Sequence, residues 1–477
     1  MMQGNVDLSI YLSIYLWDLF EVRRPERPLR FALSRDGRHH PRLCGRLRDC
    51  GGLRRAAALQ LSHMLAPSEL ASLWRAFNVQ PPLAQAVVRI TPIPGCGNGM
   101  VAASDIARGQ ELLRLPLDSC LSVRRGPRDS HALAEALQRA VSSPGPWQVY
   151  RSELMPARPV SASMLWTEAE LAALQHGPAI SAAREAARRH CAGAGASRTW
   201  ALTMVCSRSF ELEAEDSGWL RAQLPFIDCF NHLPESPAEY AAAATEASAD
   251  EPPSPWSLEG CDVVLRASQP TRCGDEVLIP YGVETNAGLL ATHGFSMGAC
   301  NSAEYVPLFG SVDELLAALS PGLSPDARAA RRRLWSGLDA SEAPLAARPG
   351  SDLAASAHVL GAAQLALAEE GLLDAGFEER YDADAGHYVL VPRCADAPLE
   401  RLARVALARA ARGELARLLQ ATTLAQDERA LARLSAETAG AMPAARRERV
   451  ERALVAVQYR LGVKQLLSDF ADRCTME

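Results

Sequence analysis

The spacing of apolar residues divides the chain into strand-like and helical stretches. Short apolar runs bounded by Gly and Pro occupy residues 85–116 and 262–279, and such runs predict short strands. Apolar residues three or four positions apart dominate residues 129–220 and the chain beyond 301, which predicts helices. The pattern therefore predicts an α+β multidomain protein with helices inserted among its strands and an all-α region after them.

The stretch Gly274–Phe295 contains several element boundaries within a few residues. Gly274 accepts a positive φ and Asp can bond its own backbone, so a tight turn is expected at its start. Val277–Ile279 then predicts a buried strand. Thr285 is suited to cap a short helix, and Gly294 is suited to end it. A strand, a turn and a helix are therefore expected in close succession.

Further strands are expected on either side of the helical stretch. Residues 85–90 (QAVVRI) predict a strand that leads into a glycine-rich segment at residues 95–102. Glycines at alternate positions predict a loop there, because Gly permits sharp bends and close approach. Residues 112–115 predict another strand. Residues 262–267 (DVVLRA) predict a strand that pairs as a hairpin with residues 277–279.

Helix boundaries are marked in the polar pattern. Thr167–Glu170 and Ser311–Glu314 have the sequence of capping boxes. In a capping box, the side chain of the N-cap residue and that of the residue three positions later each accept a hydrogen bond from the other's backbone N–H. The segment Val450–Leu461 carries apolar residues at spacings of four, three and four, which places them on one helix face. The C-terminal part is therefore expected to be a helical region with its own core.

Length and composition limit the classes of protein that need to be considered. A chain of 477 residues is too long for one hydrophobic core and predicts two or three domains. A net charge of −6 gives no signal for nucleic acid or for a membrane surface. The 12 cysteines are dispersed and form no zinc-binding pattern, which favours a reducing compartment. No apolar run reaches the roughly twenty residues that span a bilayer.

The N-terminal residues 1–80 predict a partly disordered extension. Residues 8–20 are apolar but too short to span a membrane, and no Lys or Arg precedes them as a signal peptide requires. Residues 23–55 are rich in Arg, but the acidic residues among and before them count against an organelle-targeting leader. We expect a cytoplasmic, nuclear or plastid protein that is not secreted.

Candidate chemistry is concentrated in two stretches. Asp228, Asn231 and His232 lie among apolar and aromatic neighbours in residues 224–232, LPFIDCFNH. Buried polar groups of this kind need hydrogen-bond partners, so they either lock a corner of the fold or hold a ligand. One His with one Asp supplies too few ligands for a metal. The second stretch has Tyr281 directly after the predicted strand 277–279.

These motifs, in this order, resemble the SET-domain methyltransferases. The resemblance consists of a Gly-x-Gly segment after a strand, a helical insert, an Asp-x-x-Asn-His stretch, and a strand followed by Tyr-Gly. The class that the chain most resembles is typified by the RuBisCO large-subunit lysine methyltransferase. That class implies a β-rich SET fold with a pseudoknot at residues 81–298, interrupted by a helical insert at about 125–220. It also implies an all-helical substrate-binding domain at 299–477.

The resemblance implies a role for each matching residue. S-adenosylmethionine is the implied cofactor, Tyr281 the catalytic residue at the methyl-transfer channel, and Arg208 the partner of the cofactor carboxylate. Phe210, Tyr281 and His293 are the implied substrate contacts. The remaining implied cofactor contacts are Gly97, Asn98, Gly99, Asp228, Asn231 and His232.

Two positions bear on whether a lysine or a histidine of the substrate would accept the methyl group. Several relatives have a second tyrosine where this chain has His293, whose imidazole either packs at a helix end or contacts substrate. Phe210 is similar to lysine-modifying members, whereas the actin-histidine methyltransferase type has a polar residue there. A lysine acceptor is therefore favoured over a histidine acceptor.

The resemblance thus predicts a protein-lysine N-methyltransferase that acts as a monomer on a non-histone protein. The substrate would dock on the C-terminal helical domain, and neither nucleic acid nor a membrane is an expected partner. Two alternatives remain open. One is a protein-histidine methyltransferase of the same build, and the other is a catalytically inactive SET-like interaction protein.

Overall fold

The structure is a computed structural model of the chain. It describes residues 67–79, 87–93, 96–158, 161–214, 218–233, 256–259, 262–282, 284–337, 344–350, 353–382, 387–393, 396–438 and 440–476. Residues 1–66 and 80 of the predicted extension lie outside these ranges. Residues 67–79, also assigned to that extension, form a helix whose Trp74 is 1% exposed and stacks on Phe226 at 4.4 Å between ring centroids. This part of the extension therefore belongs to the core.

Short strands between residues 88 and 279 form three small sheets. The first has the order β1-β2-β10-β7, with β1 at Val88–Ile93, β2 at Gly97–Ala102, β7 at Asn231–His232 and β10 at Glu276–Ile279. The second has the order β3-β9-β8, with β3 at Glu111–Pro116, β8 at Trp256–Glu259 and β9 at Asp262–Arg266. The third has the order β4-β6-β5, with β4 at Leu121–Arg124, β5 at Ser209–Ala214 and β6 at Gly218–Gln223.

Two sequence predictions about these strands are wrong. The segment predicted as a glycine loop is strand β2, in which Gly97, Asn98 and Gly99 pair with residues 91–93 of β1. Strand β9 does not form a hairpin with β10 but pairs with β3 and β8. Strand β10 instead lies between β2 and β7, antiparallel to β2 and parallel to β7. Partner choice between strands depends on long-range packing, which the local turn at Gly274 does not determine.

Helices precede β1 and fill the insert between β4 and β5. Helix α1 covers Pro67–Ala76, and the insert contains α2 at Asp129–Ser142, α3 at Pro146–Glu153, α4 at Glu168–Ala172, α5 at Gly177–Ala186 and α6 at Ala196–Arg208. The helical part of the insert ends at Arg208 rather than near residue 220, because residues 209–223 pair as the antiparallel strands β5 and β6. The predicted capping box at Thr167–Glu170 is confirmed.

The C-terminal region is mainly helical, which confirms the α+β fold with a helical C-terminal part. Helix α7 covers Asn286–Thr292, α8 Val312–Leu319, α9 Pro325–Ser336, α10 Ala357–Leu367, α11 Glu370–Ala375, α12 Ala397–Leu419, α13 Leu424–Thr438 and α14 Ala444–Arg473. The all-helical description of residues 299–477 needs correction, because strands β11 (Val306–Phe309) and β12 (Leu345–Ala347) pair, as do β13 (Phe377–Asp382) and β14 (His387–Pro392).

Helix ends follow the local sequence closely. Thr285 accepts a hydrogen bond from the backbone N of Gly288 and caps α7, and Gly294 after the helix has a φ of 80°. Ser311 caps α8 by accepting from Glu314 N. The Glu314 side chain does not complete the predicted box, since it accepts from the backbone N of Gly310.

The buried apolar residues form two large clusters. One contains the three sheets, α1, α2 and α6. The other joins the C-terminal helices with Trp166 to Ala183 of the insert and with Leu290 of α7. The insert therefore shares a core with the C-terminal region. A domain boundary at residue 298 stays a prediction. No helix among the described residues has the length and apolar character needed to cross a membrane.

A buried ion cluster joins α13 to α14. Asp427 and Lys464 have fully buried side chains, and the Lys464 Nζ lies 2.7 Å from an Asp427 carboxylate oxygen. Arg460 contacts the other oxygen of Asp427 at 2.8 Å. Burial opposes ionisation of Asp427, but hydrogen bonds from Arg460 and Lys464 hold its pKa below the ordinary value. Removal of this carboxylate would leave buried positive charge without a partner.

We predict that Asp427→Asn lowers the free energy of unfolding by about 3–5 kcal/mol at pH 7, measured by urea denaturation. The control is Asp469→Asn on α14, an exposed residue, which should change it by less than about 0.5 kcal/mol. Because folding lowers the pKa of Asp427, its contribution is present above the unfolded-state pKa of about 3.9 and is lost as the pH falls below it. Equal stability of the two variants at pH 7 would contradict the assignment.

Candidate functional site

The candidate site is built around strand β10, which connects two segments distant in sequence. Glu276 and Val277 pair with Val101 and Met100 of β2. Leu278 and Ile279 pair with Asn231 and His232 of β7. The glycine segment, the Asn-His pair and the residues that follow β10 are thereby brought to one place. This arrangement brings together most of the residues that the sequence predicted as a site.

Asn231 links all three strands through one amide group. Its Nδ2 donates to a Glu276 carboxylate oxygen at 2.7 Å and to the Asn98 main-chain oxygen at 3.4 Å. The Asn98 side chain in turn donates to the main-chain oxygen of Leu154 at 3.2 Å. Partial burial raises the pKa of Glu276, while the bond from Asn231 opposes the shift. The sequence analysis does not include Glu276 among the site residues. Its position as an acidic residue directly before the apolar run Val277–Ile279 was the one sequence feature that could have indicated a role in the site.

Gly99 is required by the close approach of these groups. A Cβ at this position would lie 2.4 Å from Ile93 Cγ1, 2.7 Å from Glu276 Oε1 and 3.0 Å from Asn231 Nδ2. Gly97 differs, because a Cβ there would meet nothing within 4 Å and only its φ of 78° favours glycine. The two glycines thus satisfy different constraints, one conformational and one of space.

Tyr281 is fixed at both its backbone and its hydroxyl. Its hydroxyl donates to the main-chain oxygen of Phe230 at 2.7 Å, and its backbone N donates to His232 Nδ1 at 3.2 Å. Burial raises the pKa of Tyr281 well above its ordinary value, against an opposing effect of Arg208. The side chain is therefore a neutral phenol. Because its single proton is directed at Phe230, its oxygen can accept a further hydrogen bond but has no second proton to donate.

Three rings surround Tyr281. His293 stacks on it with centroids 5.1 Å apart and an interplanar angle of 26°. His232 lies at 5.1 Å and Phe295 at 6.4 Å. Burial lowers the pKa of His293 to about 3, with smaller effects of His232 and Arg208, and burial lowers the pKa of His232 to about 4. Both imidazoles are therefore neutral at physiological pH, and the walls of the site carry no charge from them.

The hydrogen bonds of Thr292 fix the orientation of His293. Thr292 Oγ1 donates to the main-chain oxygen of Gly288 at 3.0 Å and lies 2.8 Å from His293 Nδ1. Since the hydroxyl has only one proton, His293 Nδ1 is the donor in the second contact when the first is made. The Nε2 atom of the neutral ring then carries the free lone pair.

Arg208 and Asp228 form the charged part of the site. Arg208 Nη1 donates to the main-chain oxygen of Asp228 at 2.6 Å and lies 3.6 Å from its carboxylate. Burial raises the pKa of Asp228 against the effect of Arg208, and Asp228 holds the pKa of Arg208 above its ordinary value despite burial. Arg208 Nε is buried and has no hydrogen-bond partner among the described residues. The guanidinium therefore retains an unused donor.

Tyr150 supports this pair through its bond to Asp228, and no motif or periodic pattern in the sequence indicated it. Its side chain is fully buried, its hydroxyl donates to Asp228 Oδ1, and it accepts from the backbone N of Phe226 at 2.7 Å. Gln223 Nε2 donates to the Arg208 main-chain oxygen at 3.0 Å. Phe226 has a φ of 69°, which is uncommon for a bulky residue and is held by this network.

Phe210 is a further residue of the predicted site. It lies on β5 opposite Ala222 and is 7% exposed. It belongs to the hydrophobic cluster against which Tyr281 packs. Its role in contacting substrate stays a prediction.

Comparisons with known proteins extend the resemblance to the level of the fold. The SET domain of LSMT bound to methyllysine and AdoHcy superimposes with a TM-score of 0.54 at 17% identity, covering 86% of this chain and 91% of that one. The SET domain of LSMT bound to lysine and AdoHcy gives 0.51 at 17% identity, covering 88% and 91%. No protein-family model and no curated protein matches the sequence. At this identity the likeness shows the fold, which is that of an LSMT-like SET domain with a helical C-terminal part.

We predict that Gly99→Ala destabilises the fold by about 1–3 kcal/mol, because the added methyl group overpacks the contacts with Ile93, Glu276 and Asn231. Urea denaturation would measure the change. Gly126→Ala is the control, since a Cβ there meets nothing within 4 Å and its φ is not positive. If Gly99→Ala is as stable as the control, the close approach of the three strands is not as described.

Proposed function

We propose that the chain is an S-adenosylmethionine-dependent protein methyltransferase that modifies a lysine side chain of a non-histone protein. The observation that carries this proposal is Tyr281. Its neutral phenol is held on the Phe230 carbonyl beside two neutral imidazoles, within a fold shared with SET domains that are bound to lysine and AdoHcy. Such a site has a phenol oxygen that can accept a hydrogen bond from an amine N–H, and two imidazoles that carry no charge near pH 7.

The charged part of the site fits the implied cofactor. S-adenosylmethionine has a carboxylate, and Arg208 has a buried Nε–H without a partner among the described residues. A guanidinium donor that meets a carboxylate forms a charge-assisted hydrogen bond, which removes the cost of leaving that donor unpaired. Gly97 and Asn98 lie on β2, Asn231 and His232 lie on β7, and strand β10 before Tyr281 pairs with both strands, so these residues would border the same cofactor. When bound, the cofactor supplies an electrophilic methyl group on a sulfonium.

The residues of the chain would act by alignment and by exclusion of water. A lysine amine must lose its proton before it attacks, and a desolvated site lowers the pKa of a lysine. Tyr281 cannot take that proton as a phenolate, because its own pKa is raised by burial. Its oxygen can accept a hydrogen bond from the amine and hold it in line, which is the main requirement of a displacement between two bound partners. Neutral His232 and His293 add no positive charge that would repel the lysine.

The acceptor residue and the substrate protein are part of the proposal. Phe210 on β5 supports a lysine acceptor, and the proposed docking region for the substrate protein is the helical C-terminal part of the chain. Purified protein incubated with radiolabelled cofactor and a whole-cell lysate is expected to label proteins on lysine. Identification of the modified residue separates this outcome from a histidine acceptor. Bound cofactor without any labelled protein would overturn the proposal in favour of an inactive interaction protein.

We predict that Tyr281→Phe lowers kcat by about 10²-fold or more, since it removes a hydroxyl that acts on the reacting centres. Cofactor binding, measured by calorimetry, should be nearly unchanged because Arg208 and Asp228 are retained. Tyr305→Phe is the control, as it removes a phenol hydroxyl in the C-terminal region, outside the ring cluster. Turnover by Tyr281→Phe at the rate of the control would refute the role of Tyr281.

A further inference from the structure

Aromatic rings from three parts of the chain pack around Tyr150 on α3. The centroid of the Phe77 ring, directly after α1, lies 5.6 Å from that of Tyr150, and the rings of Trp147 and Phe226 lie at 5.7 Å and 5.3 Å. All three meet Tyr150 edge to face. Trp74 of α1 stacks on Phe226 in turn. Because Tyr150 is fully buried among close-packed rings, the position of its hydroxyl is fixed.

The Tyr150 hydroxyl and the Gln223 amide hold the two carboxylate oxygens of Asp228. Tyr150 donates its one proton to Oδ1 and accepts from the backbone N of Phe226 at 2.7 Å, so the hydroxyl has no further proton to donate. Gln223 Nε2 lies 3.4 Å from Oδ2. Arg208 Nη1 lies 3.6 Å from the same oxygen. Both oxygens of this buried carboxylate therefore have defined neighbours.

The orientation of Arg208 depends on Asp228 and Gln223. Arg208 Nη1 donates to the main-chain oxygen of Asp228 at 2.6 Å, and Gln223 Nε2 donates to the main-chain oxygen of Arg208 at 3.0 Å. The Nε–H of Arg208 is buried and has no hydrogen-bond partner among the described residues. An unpaired buried donor is costly, so an Asp228 carboxylate that was free to turn would compete for it. The bond from Tyr150 holds that carboxylate in place, and the donor stays available to a ligand.

We propose that Tyr150 and Gln223 are positioning residues for the carboxylate of the cofactor. They fix Asp228, and Asp228 fixes Arg208 with one donor left free for a charge-assisted hydrogen bond. The inference rests on the proposed function, which assigns S-adenosylmethionine to this site. It differs from a purely structural role of Tyr150 in one respect. Loss of the hydroxyl weakens the binding of ligands that have the carboxylate and spares ligands that lack it.

The test is the affinity of the full-length protein, measured by calorimetry, for S-adenosylmethionine and for its decarboxylated form, which lacks only the carboxylate. We expect the wild type to bind S-adenosylmethionine roughly tenfold more tightly or better, as is typical of a hydrogen bond between charged groups. Tyr150→Phe is expected to weaken the binding of S-adenosylmethionine by about tenfold and to leave the binding of the decarboxylated form unchanged. A purely structural role would weaken the binding of both ligands alike.

Tyr459→Phe is the matched control. Tyr459 is 1% exposed, and its hydroxyl lies 2.6 Å from His176 Nδ1 in the cluster of the C-terminal helices. This variant also loses a buried phenol hydroxyl, but it should bind both ligands as the wild type does. If thermal denaturation shows that Tyr150→Phe does not fold, Gln223→Met carries the test. It removes the amide donor at similar volume and is expected to cause the same selective loss.

The inference is overturned if the wild type binds the two ligands equally well. It is also overturned if Tyr150→Phe, or Gln223→Met in its place, keeps the wild-type preference or weakens the binding of both ligands by the same factor. Labelling of lysate proteins is measured separately. A wild-type protein that shows the preference but labels no protein would refute the methyltransferase and leave the positioning role intact, whereas a wild type that binds no S-adenosylmethionine would refute both.

Discussion

The arrangement depends on the position of strand β10 between β2 and β7. Its backbone bonds to β2 on one edge and to β7 on the other, and these two strands are more than a hundred residues apart in sequence. Asn231 adds a side-chain link, since one amide group reaches Glu276 and the Asn98 carbonyl. Ile93, Glu276 and this amide approach residue 99 so closely that a Cβ there would overlap them. The location of Tyr281 is thus a consequence of backbone pairing and of one glycine.

Local features could be predicted from the sequence because they depend on residues close together in it. The caps at Thr167 and Thr285 and the positive φ of Gly294 are examples. The pairing of β10 was predicted incorrectly, because the turn at Gly274 is equally compatible with a hairpin and with insertion between other strands. The prediction of a loop at the glycine segment is wrong for a related reason. Alternate glycines permit bends, but here they permit the close approach of neighbouring strands.

The missed residues of the site share a physical property. Each of them acts through a side-chain hydrogen bond to a residue on another element, 15 to 78 positions away in the sequence. They are Tyr150, Gln223 and Glu276. Nothing in a periodic pattern shows that a Tyr in a helical stretch bonds an Asp in a later turn. The residues that resemble a known family were found because they form motifs. The residues that hold them in place through hydrogen bonds form no motif, and they are identified only from the three-dimensional structure.

The contacts of helix α14 determine when the helical insert can complete its packing during synthesis of the chain. Helix α14 bonds to Ala173, Gln175 and His176 of the insert through Arg460, Lys464 and Tyr459, across 283 to 289 residues of sequence. Contacts this distant in sequence form late, because the intervening chain must first be ordered. During synthesis the insert leaves the ribosome long before its packing partner exists. The insert beside His293 and Gly294 therefore acquires its final packing only once residues 444–473 are translated, and premature termination before them would leave apolar surface of the insert exposed.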